Sequence, residues 1–329
     1  MTNSSLYPKK SIKMSDFLMY IVIQFPISSM IKVYFDSLNL ILTGVCFCLF
    51  FMYYILGRFK YRELFLIFYI ASTLVQNIVM WGLDYLNVNM LFYFPFLILY
   101  FCFFVKNVSS ITEFMKNHKN YIDAILIIWN SFVFISFFIP SCYIYEGETL
   151  GFVSFAGTTF LLCPMAIQIF SLLAFQYSLY HKRIYMFALL IPSLCVLLGT
   201  TRTYLVILMC AWMVFVYLNI KNQRNFFPIM IFALVLFVIV VFLSPIKNKF
   251  LDTYNRSETV GLDPLATFTS GRSVFWAYDM QQIFNNHPLK IVFGNGVNYL
   301  YEINRLEFSN PLWAHNDYIQ ILTTMAYLA

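Results

Sequence analysis

The sequence predicts an all-α polytopic membrane protein, with about ten transmembrane helices in the chain given and one long extracytoplasmic loop that carries short helices. Three observations predict it. The 329 residues are 61% hydrophobic and 20% aromatic but only 11% charged, too few polar groups to cover a water-soluble fold. Apolar runs recur at lengths of roughly 17 to 25 residues, enough for a helix to cross about 30 Å of hydrocarbon. Strand-type alternation is absent, which excludes an outer-membrane barrel.

Taken in order, apolar spans are expected at residues 17–34, 38–56, 64–81, 86–105, 121–142, 158–180, 185–198, 204–220 and 226–244. Residues 1–244 thus form a nine-helix transmembrane region, 245–315 a catalytic-type loop, and 316–329 the start of a tenth span. The last span is still apolar at Ala329 after only about a dozen residues of the roughly 20 needed, so further helices are expected beyond it. The first span contains Gln24 and Pro26 and is not followed by small residues at an exit site, so it reads as a retained helix rather than a cleaved signal.

The basic residues fix an orientation. With the amino terminus inside, the cytoplasmic side holds Lys9, Lys10, Lys13, Arg58, Lys60, Arg62, Lys106, Lys116, Lys119, Lys182, Arg183, Lys221 and Arg224, while the short outside loops hold Lys32 and Arg202. Thirteen against two is the asymmetry expected of cytoplasmic loops. It places the long loop on the extracytoplasmic face of a cell membrane. It also accounts for the net charge of +6, because the cations are scattered through interhelical turns and do not form a nucleic-acid-binding face. The seven cysteines sit almost entirely within apolar runs, where a thiol packs as a small hydrophobe. They form neither a disulfide framework nor a metal site. No internal repeat of the transporter kind is evident.

Chemistry-bearing residues concentrate late in the chain. Arg202 lies in Gly199-Thr200-Thr201-Arg202-Thr203, between two apolar runs with almost no loop; an arginine at that depth calls for a partner or a function. In the long loop, Ser270 is a good N-cap for a helix from Gly271 to about Asn285, and Arg272 then stands in its first turn. A cation there joins the free N–H groups and the positive dipole end, a position suited to phosphate; the alternative is a solvated surface arginine. Trp276, Met280 and Ile283 share the apolar side of that helix. Gly294-Asn295-Gly296 ends a short apolar run, either as a turn that needs positive φ or as backbone that a ligand approaches closely. His315, followed by Asn316 and Asp317, stands at the membrane edge. Its ring can take a proton from a hydroxyl, with Asp317 to orient it, or it is an interfacial histidine beside a tryptophan belt. No paired Asp-x-Asp carboxylates, P-loop or GxGxxG occurs, so neither a metal nor a cofactor is expected.

The order of these features, Thr-Arg at a tight outside turn, Ser-Gly-Arg, a Trp, a Gly-x-Gly and a terminal His-Asn running into a helix, resembles the O-antigen ligase and polymerase superfamily of integral-membrane glycosyltransferases. The specific matches cover about the last 130 residues. The helix after His315 departs from the pattern in having Met325-Ala326 where such proteins usually carry a glycine. The resemblance implies transfer of glycan from undecaprenyl diphosphate to an acceptor hydroxyl, without a metal. Arg202 and Arg272 would then hold the diphosphate, His315 would accept the hydroxyl proton, and Asn316 and Asp317 would position it or the sugar. Trp276 would offer a stacking face to the polyprenyl stem or a sugar ring, with Ser270, Gly271, Gly294 and Gly296 shaping the substrate site. The implied partners are the lipid bilayer, lipid-linked donor and acceptor, and a chain-length regulator, with no nucleic acid. A polymerase acting on lipid-linked repeats is the preferred reading. The alternatives are a ligase transferring glycan to a lipid A core, and a lipid-linked oligosaccharide flippase with Arg202 in its cavity.

Overall fold

The computed structural model describes residues 14–31, 107–146, 149–220, 272–285 and 299–308, together with positions 41, 44–46, 48–50, 52–53, 75, 79, 103–105, 228, 231, 235, 239, 242, 247 and 295. These residues are mostly helical and fall into two compact units. The first comprises Met1–Cys48 and Ser109–Asp252, the second Leu49–Val108 and Thr253–Ala329.

In the first unit, α1 (Met14–Ile31), α3 (Lys119–Ser136), α4 (Thr159–Tyr180), α6 (Leu190–Leu198) and α7 (Arg202–Asn219) are the apolar helices, joined by α2 (Val108–Asn117) and the short α5 (Arg183–Ala188). Among the described residues, one helix, Thr159–Tyr180, is long and apolar enough to cross a membrane, and Arg183–Leu198 and Thr203–Asn219 are shorter apolar stretches. The span expected at 158–180 therefore appears nearly as read, a helix stands close to the bounds expected for 204–220 but is among the shorter apolar stretches, and the stretch 185–198 is divided at Leu189 into two pieces. The spans expected at 64–81, 86–105 and 226–244 lie largely outside the described residues.

Helix α4 starts where Thr158 accepts a hydrogen bond from the Leu161 amide, an N-cap that satisfies one of the orphan donors of the first turn. It ends at His181, which adopts the left-handed conformation (φ 51°) that terminates helices. Its buried side, Leu162, Cys163, Ala166, Ile169, Phe170 and Leu173, forms the centre of the unit. Helix α1 is clamped against it by Gln168, whose amide donates to the Val22 carbonyl at 3.2 Å, and against α3 by Tyr121, whose hydroxyl donates to the Tyr20 carbonyl at 2.8 Å. Helix α2 stands between apolar spans but is itself amphipathic, burying Phe114 and Met115 and exposing its polar side.

Between α3 and α4 the chain makes a two-stranded antiparallel hairpin, β1 (Tyr143–Glu146) with β2 (Thr149–Phe152), in which Tyr143 pairs with Phe152 and Glu146 with Thr149. Phe152 is fully buried and stacks on Phe137 with ring centroids 4.6 Å apart. The hairpin thus closes one end of the unit. At the other end Tyr180 reaches the Lys116 carbonyl (3.5 Å), and the Lys119 ammonium lies over the rings of Tyr180 and Tyr185. Helices α3 and α4 are therefore antiparallel, with Lys116, Lys119, Lys182 and Arg183 gathered at the end opposite the hairpin.

In the second unit, α8 (Arg272–Phe284) and α9 (Tyr299–Phe308) are the continuous described elements. The helix read from Gly271 to Asn285 appears as α8. Helix α9 was not anticipated.

Candidate functional site

The two arginines singled out in the sequence share one local setting. Arg202 is the first residue of α7, an 18-residue helix, and Arg272 is the first residue of α8, a 13-residue helix. Neither helix has an acidic residue in its first turn. A helix start gathers unpaired N–H groups and the positive end of the macrodipole, which disfavour a neighbouring cation and favour an anion. At α7 the Thr201 N-cap leaves these amides uncapped by its side chain, because its hydroxyl instead donates to the Gly199 carbonyl at 3.2 Å. Ion pairs among the described residues join Lys119 to Asp123 and Arg305 to Glu302, leaving Arg272 out.

The hairpin builds the Arg202 turn. Gly199 packs so closely on α4 and α6 that a Cβ there would stand 2.7 Å from Cys163 Sγ and 2.9 Å from the Cys195 carbonyl oxygen. Gly151 of β2 lies against the same turn, its Cβ position 3.4 Å from Thr200 Oγ1 and 3.3 Å from the Thr159 methyl. Thr200 is completely buried in the left-handed region (φ 55°), and its hydroxyl has no hydrogen-bond partner. A β-branched residue held there is strained, so the surroundings over-determine the turn. The result is a rigid helix start with an arginine as its first residue.

In the second unit α8 and α9 pair antiparallel. Phe275 and Tyr278 meet Phe308 edge-on, with centroids 4.5 and 5.3 Å apart, while Trp276 and Met280 pack on the buried Leu300 together with Tyr299 and Ile303. Trp276 is thereby half-buried in the helix pair, with part of its surface left open. The pairing brings the carboxyl end of α9 to the same end as Arg272. Ser270, Gly271, Gly294, Gly296, His315, Asn316 and Asp317 lie outside the described residues, as does the side chain of Arg202. Asn295, between the two glycines, is buried.

The structure adds a buried polar pair that the sequence reading passed over. Asp279 on α8 and Asn304 on α9 are both fully buried. Burial pushes the Asp279 carboxyl from 3.8 up to about 6, with Asn304 near enough to favour the anion in part, although neither carboxyl oxygen meets a donor in good hydrogen-bond geometry. Its spacing of seven residues from Arg272 puts Asp279 on the helix side shared by Trp276 and Ile283, which was the available signal. Tyr278 beside it is likewise raised by burial, and then by the nearby Glu307.

The raised carboxyl has a consequence for stability. Between pH 3.8 and about 6 the folded carboxyl keeps its proton while the unfolded one ionises, so stability falls as pH rises through this window and levels off above it. Asp279→Asn, which keeps the shape and removes the charge, is expected to stabilise the fold at neutral pH by about 1–2 kcal/mol once partial hydration is allowed for, and so to raise the thermal midpoint. It should also flatten the pH dependence. Unfolding in detergent followed across the window checks both; an unchanged slope in the variant assigns the dependence to another group.

No curated protein and no solved structure matches the chain. The sequence profile described as O-antigen ligase matches residues 152–325, more than half of the chain, from the hairpin that packs on the Arg202 turn through the α8–α9 pair to the segment carrying His315. The chain therefore belongs to the O-antigen ligase family of integral-membrane, glycosyltransferase-like enzymes.

Proposed function

We propose that the protein is a polymerase of surface polysaccharide, which transfers glycan from undecaprenyl diphosphate to a hydroxyl of another lipid-linked repeat on the extracytoplasmic face, without a metal. The observation that carries this reading is the setting of the two arginines, each the first residue of a helix with no acid in its first turn. Each position by itself suits a phosphate, and a lipid diphosphate carries two, whose negative charge grows as the glycosidic bond breaks. The arginine fork adds bidentate contact.

In this mechanism the acceptor hydroxyl attacks the anomeric carbon as the bond to the diphosphate oxygen breaks. His315 takes the hydroxyl proton, oriented by Asp317 and assisted by Asn316, and Arg202 and Arg272 hold the departing lipid diphosphate. Ser270 and Gly271 lead into α8, while Gly294 and Gly296 leave room for the substrate to approach the backbone. The open part of Trp276 is available to a sugar ring or the polyprenyl stem. The separation of Lys116, Lys119, Lys182 and Arg183 from the Arg202 turn, at opposite ends of the first unit, supports a cytoplasmic end and an extracytoplasmic end as read from the sequence.

Complementation of a polymerase-null strain with the full-length protein tests the reading, with glycan length read on a gel. A ladder of lengthened chains is expected. Single repeats joined to a lipid A core would indicate ligation instead, and export of repeats without lengthening would indicate a flippase.

A further inference from the structure

Away from the arginines, the first unit carries a groove of about 420 Å³ between α3, α4, α5 and α6. Its bed is mostly apolar, formed among others by Leu126, Ile127, Phe134 and Ile184, with Asn130 and Ser131 as uncharged polar members. Ile127 is 65% exposed and Ile184 70% exposed, so the bed faces outward from the unit and a lipid chain can reach it within a membrane. Along α3 the lining runs from Lys119 to Phe134, about 22 Å at 1.5 Å per residue, comparable to one leaflet of a bilayer including its interface.

Only one end is charged. Lys119 and Lys182 line it, together with Asp123 and Tyr185. Lys119 is committed to Asp123, which also accepts from the Tyr185 hydroxyl at 2.8 Å. That pairing leaves Lys182, an exposed side chain beside the exposed Arg183, as uncompensated positive charge at the mouth. An apolar trough of leaflet length with a cationic rim at one end complements a lipid whose headgroup is anionic.

We propose that this groove binds an anionic phospholipid, its phosphate at Lys182 and one acyl chain along α3. The cationic rim of the groove lies at the end of the unit opposite the Arg202 turn, and the site rests on the chain being membrane-embedded, not on glycosyl transfer. It gives the enzyme a fixed lipid on the face where its basic residues gather.

The test uses the full-length protein purified in detergent and titrated, by native mass spectrometry, with phosphatidylglycerol or phosphatidylcholine of identical acyl chains. Wild type is expected to retain phosphatidylglycerol in preference. Lys182→Gln should weaken that lipid about fivefold, the effect of one lysine near an anionic headgroup, and leave phosphatidylcholine unchanged. Ile127→Trp should fill the bed and lower binding of both, whereas Val214→Trp, on an exposed face of α7, should lower neither. Equal binding of the two lipids to wild type, no change with Lys182→Gln, or equal loss with Val214→Trp would overturn the site. So would displacement of phosphatidylglycerol by undecaprenyl phosphate at equal concentration, which would make the groove a substrate channel.

Discussion

Arg272→Ala is expected to lower turnover of a lipid-linked donor by about 10² to 10³-fold at saturating substrate, the usual loss when one fixed donor to a developing oxyanion is removed. The effect originates at the start of α8. A cation as the first residue of α8, with no acid in its first turn, is unfavourable in the empty protein and becomes favourable as negative charge gathers on the leaving diphosphate. That difference between ground and transition state is what accelerates the step. Arg272→Lys keeps the charge but loses the planar fork, so it should recover part of the rate. Arg202→Ala should show the same loss for the same reason, since α7 also begins with its arginine and lacks a side-chain cap. Single-turnover kinetics on the purified variants check this. Loss confined to KM would mean that the arginines bind substrate without acting on the leaving group.

The second large effect concerns the turn that holds Arg202. Gly199→Ala is expected to cost about 1–3 kcal/mol, the range for overpacking a tight core. The backbone there is ordinary (φ −71°), so the cost comes from contact and not from conformation. The added methyl meets the Cys195 carbonyl at 2.9 Å as well as Cys163 Sγ, and the carbonyl belongs to the α6 backbone, which cannot swing aside. Gly151→Ala should be milder, because its neighbours are the Thr159 methyl at 3.3 Å and the Thr200 hydroxyl at 3.4 Å, which can yield by a few tenths of an ångström. Thermal unfolding in detergent should rank Gly199→Ala well below Gly151→Ala. The reverse order would contradict the packing described here.

What the sequence could disclose follows from range. The long apolar helices were legible because hydropathy is local, and α4 and α7 lie within two residues of the spans read for them. Helix α8 was legible from Ser270 and from the Trp276, Met280 and Ile283 spacing. The division at Leu189 was not, because nothing in that uniformly apolar run marks it. Helix α9 escaped because its apolar residues, Leu300 and Ile303, are too few to stand out until α8 packs on them. The hairpin escaped because its two strands have four residues each and owe their burial to Phe137 and the Gly199 turn. Asp279 was visible only as one loop carboxylate among several. Its buried neighbour Asn304 stands 25 residues later on α9, and no local pattern announces such a pairing.

The most direct measurement is reconstitution of the purified full-length protein with one undecaprenyl-diphosphate-linked repeat, in the presence of a metal chelator. Product lengths and released lipid diphosphate would be followed together by mass spectrometry. Chains growing by whole repeats are expected, with one lipid diphosphate released per repeat added and loss of both products with Arg272→Ala. Release without growth, growth that the chelator abolishes, or full activity in Arg272→Ala would contradict it.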